Sequence, residues 1–221
     1  MADQDFRLLA PRLDLADTLT KVENLGVSCE LGLIQRHCKV EQPGLFRFGY
    51  TPIAGLIEAI TNGFERIGEP GLIDVNEGYR GEWITTNRRY GFEFHTAHDS
   101  TRHTKEYVLE KLSTHYKFLA RKLMEEIETG DKLLVYRAEN ETNKGEMADG
   151  LAKSISARGK AVLLWVMVAP TAALAGQVHW AEPGRLMYGY LDRFARIRFA
   201  AGASYDSWLT LLQNALAQMQ P

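Results

Sequence analysis

The sequence predicts an α/β fold, a single layered domain over residues 1–221 with a largely parallel central sheet and helices on both faces. Two nearly unbroken apolar segments, at residues 132–140 and 160–170, have the composition of strands that are buried on both faces. A helical segment from about Asn143 to Arg158 lies between them, an order typical of a right-handed βαβ crossover. The length of 221 residues, with 45% hydrophobic and 24% charged residues, is that of an ordinary globular protein.

The rest of the chain supplies further helices and strands around this unit. Residues 1–20 form an N-terminal extension, and the Gly- and Pro-rich segment 68–81 has the character of a loop. Hydrophobic periodicity and capping residues predict the remaining elements. They are a strand at 21–26, a helix at 29–38 capped by Ser28, a helix from Pro52 to about Gly63, strands at 82–86 and 90–95, a helix from Thr104 to Glu128 closed by Gly130, two short strands around Pro183 and Gly184, and a helix from Tyr205 to Met219.

Charge and hydropathy exclude several classes of partner. A formal net charge of -2 gives no positive field for nucleic acid or for an anionic membrane. The longest apolar run, Ala161 to Pro170, is about half of what a membrane span needs, and the charged N-terminus lacks the apolar core of a signal peptide. We therefore expect a cytoplasmic protein that binds neither nucleic acid nor membrane, with Cys29 and Cys38 as free thiols.

Cys29 is the first candidate catalytic residue. It follows Gly26 in a predicted tight turn and opens a helix, where unpaired N–H groups and the helix dipole favour a thiolate. The alternative is that Cys29 is a small buried residue at the start of a packed helix, as most free cysteines are.

A thiolate nucleophile needs a proton acceptor, and the segment FHTAHDSTRH is the richest in histidine. It contains His95, His98 and His103, and Asp99 follows His98 directly. The same side chains could instead bind a metal ion, although their spacing fits no established zinc pattern. His179 is a further candidate base, ranked below His98.

Arg137 and Asn140 form a second candidate site. They lie at the carboxyl end of the first βαβ strand, the edge at which open parallel sheets bind ligands. Arg137 suits a carboxylate or a phosphate group. A surface salt bridge from Arg137 to Glu139 or Glu141 is the alternative.

Three segments in this order carry a resemblance to a known family: NLGVSC (24–29), FGY (48–50), and YGFEF (90–94) leading to His98-Asp99. The chain resembles a bacterial family of unknown function described as papain-like cysteine peptidases, whose motifs are S-L-G-x-N-C, F-D-W and Y-G-x-x-F before His-Asp. The resemblance covers about residues 21–140. It implies a cysteine nucleophile, Cys29, with a histidine base, at a position that either His95 or His98 could occupy. Its members also look like companions of polysaccharide-building enzymes.

These residues predict a cysteine-dependent hydrolase or acyl transferase that acts on a small-molecule, glycan or peptide substrate without a cofactor or metal. Cys29 would be the nucleophile and His98 the base, with His95 and Asp99 in support. Backbone N–H groups from Ser28 to Glu30 would form an oxyanion site.

Two alternatives belong to other classes. One is a carbohydrate- or sugar-nucleotide-binding protein linked to polysaccharide biosynthesis, whose ligand contacts Ser28, Arg137 and Asn140 together with aromatic side chains. The aromatic side chains are those of Tyr50, Trp83 and Trp180. The other is a non-catalytic structural member of the family, since Gly49 replaces the aspartate of F-D-W. The sequence leaves the oligomeric state open.

Overall fold

The computed structural model describes residues 16–138, 144–195 and 205–219, which form six α-helices and nine β-strands. The helices are α1 (Ala16–Thr20), α2 (Glu30–His37), α3 (Ile53–Thr61), α4 (Lys105–Thr129), α5 (Lys144–Ser156) and α6 (Tyr205–Met219). The strands are β1 (Val22–Asn24), β2 (Gly49–Tyr50), β3 (Ile73–Glu77), β4 (Glu82–Asn87), β5 (Phe92–Asp99), β6 (Leu133–Arg137), β7 (Val162–Val168), β8 (Val178–Glu182) and β9 (Leu186–Leu191). None of these helices is both long and apolar enough to cross a membrane.

The larger sheet has five strands in the order β1-β6-β7-β9-β8. The first four run parallel, and only β8 at the edge is antiparallel to its neighbour. The predicted βαβ unit is confirmed, because β6 and β7 pair in parallel from Leu133 and Val162 to Arg137 and Val166 and α5 connects them. The carboxyl ends of β1 and β6 therefore meet at the same edge of the sheet.

A second sheet corrects the prediction of one central sheet. It is antiparallel, has the order β2-β5-β4-β3, and is inserted in the chain between α2 and β6. The prediction of a loop over residues 68–81 is wrong for its central part, which forms β3. Ile73 and Val75 bury their side chains there, and this two-residue alternation is enough for an edge strand despite the surrounding glycines.

Successive residues of the parallel strands bury their side chains in two different cores, so helices pack on both faces of the sheet. Tyr136 and Trp165, whose ring centroids are 4.9 Å apart, belong to the core that α3, α4 and α5 cover. Val135 and Leu164 belong to the other core, with α1, α2 and α6. The nearly continuous hydrophobicity of β6 and β7 reflects this two-sided burial.

Replacing Gly55 with alanine tests how closely α3 lies against the second sheet. A Cβ atom on Gly55 would lie 1.9 Å from the Tyr90 carbonyl oxygen. Alanine normally stabilises a helix relative to glycine. Here we expect Gly55→Ala to lower the free energy of unfolding by about 2 kcal/mol, because the backbone of α3 or of Tyr90 must move to make room for the methyl group. Urea denaturation measures the change. Gly145→Ala in α5 is the matched control, since open space surrounds that position and its replacement should not destabilise.

Candidate functional site

A rigid turn after β1 holds Cys29 in place. Gly26 and Val27 have φ angles of +96° and +75°, and a Cβ on Gly26 would lie 2.3 Å from Thr51 Oγ1. The Thr51 hydroxyl donates to the Leu25 carbonyl at 2.7 Å and accepts from the Val27 N–H at 3.1 Å. The turn therefore places Cys29 at the N-cap of α2, one residue later than the predicted cap at Ser28.

Phe48 connects the start of α2 with β5. A Cβ on Gly32 would lie only 3.0 Å from Phe48 Cε1, so α2 approaches this ring closely. The guanidinium carbon of Arg36 lies 4.4 Å from the centroid of the same ring. The Phe48 carbonyl in turn accepts a hydrogen bond from the His95 N–H at 3.0 Å. The helix that begins at Cys29 and the strand that carries His95 thus share one neighbour.

His95 is held by a carboxylate. Its Nδ1 lies 2.9 Å from Glu82 Oε2, while Glu82 Oε1 accepts the Ala97 N–H at 2.9 Å. The pairing of β4 with β5 shifts register between Glu82 and Ile84, and Ala97 has a φ of +56°, so a bulge brings the carboxylate to the ring. A carboxylate only accepts, which places the proton of the neutral ring on Nδ1 and leaves Nε2 as the acceptor.

The Glu82 carboxylate also acts on Cys29. The pKa of the Cys29 thiol is raised to about 11, first by burial and then by the charge of Glu82, whereas the Arg36 guanidinium lowers it. Burial and the Glu82 charge thus oppose the thiolate that the helix start is expected to stabilise. Glu82 is the group that the surroundings of Cys29 and His95 have in common.

His98 and Asp99 have other partners. His98 Nδ1 lies 2.7 Å from the Thr96 carbonyl oxygen, and its ring packs edge to face on His103 with centroids 4.9 Å apart. Asp99 Oδ1 accepts from the N–H and the hydroxyl of Thr101, at 2.7 and 2.6 Å, which lowers the pKa of this exposed carboxyl. Asp99 therefore stabilises a turn rather than orienting His98 as a base.

The alternative of a metal site in this segment also lacks convergent ligands. His95 contacts Glu82, while Asp99 contacts Thr101. Across residues 16–138, 144–195 and 205–219, no group of three or more His, Cys, Asp or Glu side chains is placed to hold a metal ion.

Ser28 and Arg137 contact each other inside the protein. Arg137 Nη1 lies 2.5 Å from Ser28 Oγ and 3.3 Å from Glu30 Oε2, and only 3% of the Arg137 side chain is exposed. Ser28 Oγ also accepts the N–H of Glu30 at 3.3 Å, so this donor of the predicted oxyanion site is already engaged. Arg137 thus belongs to a buried ion pair rather than to an open ligand site. Asn140 lies outside the described residues.

The remaining predicted residues are dispersed. His179 lies on β8, at the opposite edge of the five-stranded sheet from β1, and three strands separate the two. With strands about 4.8 Å apart, His179 is roughly 19 Å from the strand that precedes Cys29. Trp180 shares that distant strand, whereas Tyr50 and Trp83 belong to the second sheet. The aromatic residues of the predicted carbohydrate site therefore do not come together.

A cleft of about 380 Å³ opens beside His95. It lies between residues 44–48, the carboxyl half of β5 and α4. Phe48 and His95 both line it, and Phe48 also lies against α2, the helix that begins at Cys29. A substrate bound there would have one end next to the imidazole of His95.

Glu82 is a site residue that the sequence alone does not identify. A glutamate at the start of the predicted strand EWITT is normally a solvated surface residue, and no local pattern sets it apart. The signal lies in strand pairing, because β4 runs antiparallel to β5 and brings Glu82 next to His95. Comparisons of the chain with protein-family models, with curated proteins and with solved structures find no match.

Proposed function

We propose that the protein is a cysteine-dependent acyl hydrolase or acyl transferase, with Cys29 as nucleophile and His95 as general base. Glu82 would orient His95 and stabilise its imidazolium. The observation that carries the proposal is that Phe48 lies against α2, the helix that begins at Cys29, and also accepts a hydrogen bond from His95. The Glu82 carboxylate at His95 Nδ1 agrees with this placement, since it also raises the pKa of the Cys29 thiol. The resemblance to the papain-like family supports it, since its motifs place a nucleophile at Cys29 and accommodate His95 as the base.

The chemistry follows from the two side chains. His95 Nε2 accepts the thiol proton as the Cys29 sulfur attacks the carbonyl carbon of the substrate. The tetrahedral intermediate collapses to a thioester, and the imidazolium returns the proton to the leaving group. Water or an acceptor alcohol or amine, deprotonated by His95, then attacks the thioester and releases the acyl product and the Cys29 thiol.

The raised pKa of Cys29 determines the resting state. At neutral pH the thiol is protonated in the free protein, because its pKa is about 11. Proton transfer to His95 must therefore accompany attack, in contrast to enzymes that keep a thiolate–imidazolium pair ready. We infer a small-molecule, glycan or peptide substrate with an acyl group, handled in the cytoplasm, where Cys29 stays reduced.

Hydrolysis of p-nitrophenyl acetate tests the proposed roles. We expect Cys29→Ala to abolish Cys29-dependent release of p-nitrophenolate and His95→Ala to lower kcat/KM at least about 100-fold, as removal of a general base does. Glu82→Gln should give an intermediate loss, because the imidazole keeps its place but loses the charge that stabilises its protonated form.

Two histidine variants complete the experiment. His179→Ala, at the far edge of the larger sheet, is the matched control and should keep native activity. His98→Ala separates the two candidate bases and should also hydrolyse this small neutral ester normally. Loss of activity in His98→Ala with native activity in His95→Ala would show that the base is wrongly assigned, and native activity in Cys29→Ala would overturn the proposal.

A further inference from the structure

The cleft beside His95 has an apolar floor. Side chains from residues 44–48, from β5 and from α4 form this floor, and burial there removes a ligand's apolar surface from water. The side chains are those of Leu45, Phe94, Leu112, Tyr116 and Leu119. A volume of about 380 Å³ lies at the small end of the range for ligand sites, so one aromatic ring or a short acyl chain fills it.

The rim of the cleft is basic. Among the residues that the structure describes, Lys111, His98 and His115 line it together with His95, and no acidic side chain does. Within the described part of the chain, Lys111 forms no ion pair; its Nζ lies 5.8 Å from the ring centroid of Tyr107. Burial lowers the pKa of His115, so at neutral pH its imidazole can donate one N–H without carrying a charge. Lys111 is thus the one lysine or arginine among the described residues that line the cleft.

Two acidic side chains, Glu82 and Glu23, lie behind the residues that line the cleft. Glu82 holds His95 Nδ1, and Glu23 reaches the backbone of Gly44, where an added Cβ would lie 2.4 Å from Glu23 Oε1. Glu23 is paired with Lys122 and Lys132 at 3.4 and 3.5 Å. Both acidic groups are therefore already engaged and leave the charge of Lys111 available to a ligand.

We infer that this cleft selects an acyl substrate that carries an anionic group, a carboxylate or a phosphate, next to a small apolar body. Lys111 pairs with the anion and the imidazoles of His98 and His115 bond to it, while the apolar body lies on the floor. The inference rests on the proposed function, because a substrate seated there has one end next to His95, the base proposed for Cys29.

Binding of phenylphosphate, benzoate and phenol to the full chain tests the inference without any turnover. Calorimetric titration at pH 7 should show phenylphosphate or benzoate binding at least tenfold more tightly than phenol, and the stronger of the two identifies the anionic group. Lys111→Met should weaken binding of that anion at least fivefold, and His115→Gln should weaken it by a smaller factor. Lys117→Met is the matched control, since Lys117 lies on the same helix but lines a different groove.

The outcomes separate this inference from the proposed function. Equal affinity for phenol and both anions, or equal weakening by Lys111→Met and Lys117→Met, would overturn the anion site. Selective anion binding that persists in Cys29→Ala supports it. Selective binding without Cys29-dependent ester hydrolysis would overturn only the proposed chemistry, and Cys29-dependent hydrolysis without selective binding would overturn only the anion site.

Discussion

Replacement of Arg137 by alanine should lower the free energy of unfolding by about 3–5 kcal/mol, because it removes the guanidinium that forms an ion pair with the buried Glu30 carboxylate. Arg137 and Glu30 form an ion pair at 3.3 Å, with 3% and 2% of their side chains exposed. Arg137 also donates to Ser28 Oγ and to the Ala195 carbonyl, and its guanidinium lies 4.3 Å from the Phe194 ring centroid. Truncation therefore removes hydrogen bonds and packing along with the charge.

Urea denaturation of three variants distinguishes the ion pair from general effects of charge removal. The double variant Arg137→Met with Glu30→Met should lose less stability than Arg137→Ala, because it removes both charges of the buried pair together. Arg121→Ala breaks an exposed pair with Glu125 and should change the free energy of unfolding by no more than about 1 kcal/mol. A loss below about 1 kcal/mol in Arg137→Ala would contradict a stabilising role for this ion pair.

The contacts of Arg137 also show which features of the site cannot be predicted from the sequence. The apolar run before Arg137 is a local signal, and it predicts that Arg137 lies at the end of a strand. Its contact with Ser28 joins residues 109 positions apart in the chain, and only the parallel pairing of β1 with β6 creates it. A polar residue at the carboxyl end of a strand could bind a ligand or a distant carboxylate, and nothing in the local sequence separates the two.

The helices and strands likewise divide into those that local sequence signals predict and those that they do not. The bounds of α4 could be predicted because Thr104 caps its start and Gly130, with a φ of +77°, ends it. The strand β3 could not, since two buried residues among glycines resemble a loop. At the candidate site, the position of Cys29 followed from its local turn. The contact of His95 with Glu82 depends on a bulge between two strands, so the sequence left His95 and His98 unresolved.

The largest expected dependence of stability on pH comes from Glu23, which is buried in β1. Burial raises the pKa of its carboxyl from 4.5 to about 7, and the nearby Glu126 carboxylate adds to this rise while Lys122 and Lys132 oppose it. Between these two pH values the folded protein keeps a proton that the unfolded chain releases. The free energy of unfolding therefore falls as the pH increases through this window, by up to about 3 kcal/mol from this group.

Glu23→Gln should remove this contribution, because the amide resembles the protonated carboxyl and does not titrate. Urea denaturation at pH 5 and at pH 8 measures the free energy of unfolding of the variant and of the native protein. The value for the variant minus that for the native protein should rise by about 2–3 kcal/mol from pH 5 to pH 8. Glu125→Gln is the matched control at an exposed position of α4, and its pH profile should follow the native one. Parallel profiles for Glu23→Gln and the native protein would show that Glu23 is ionised throughout, with the two lysines outweighing burial. In that case the Glu23 carboxylate would stay paired with Lys122 and Lys132 behind the wall of the cleft at Gly44 over this whole pH range.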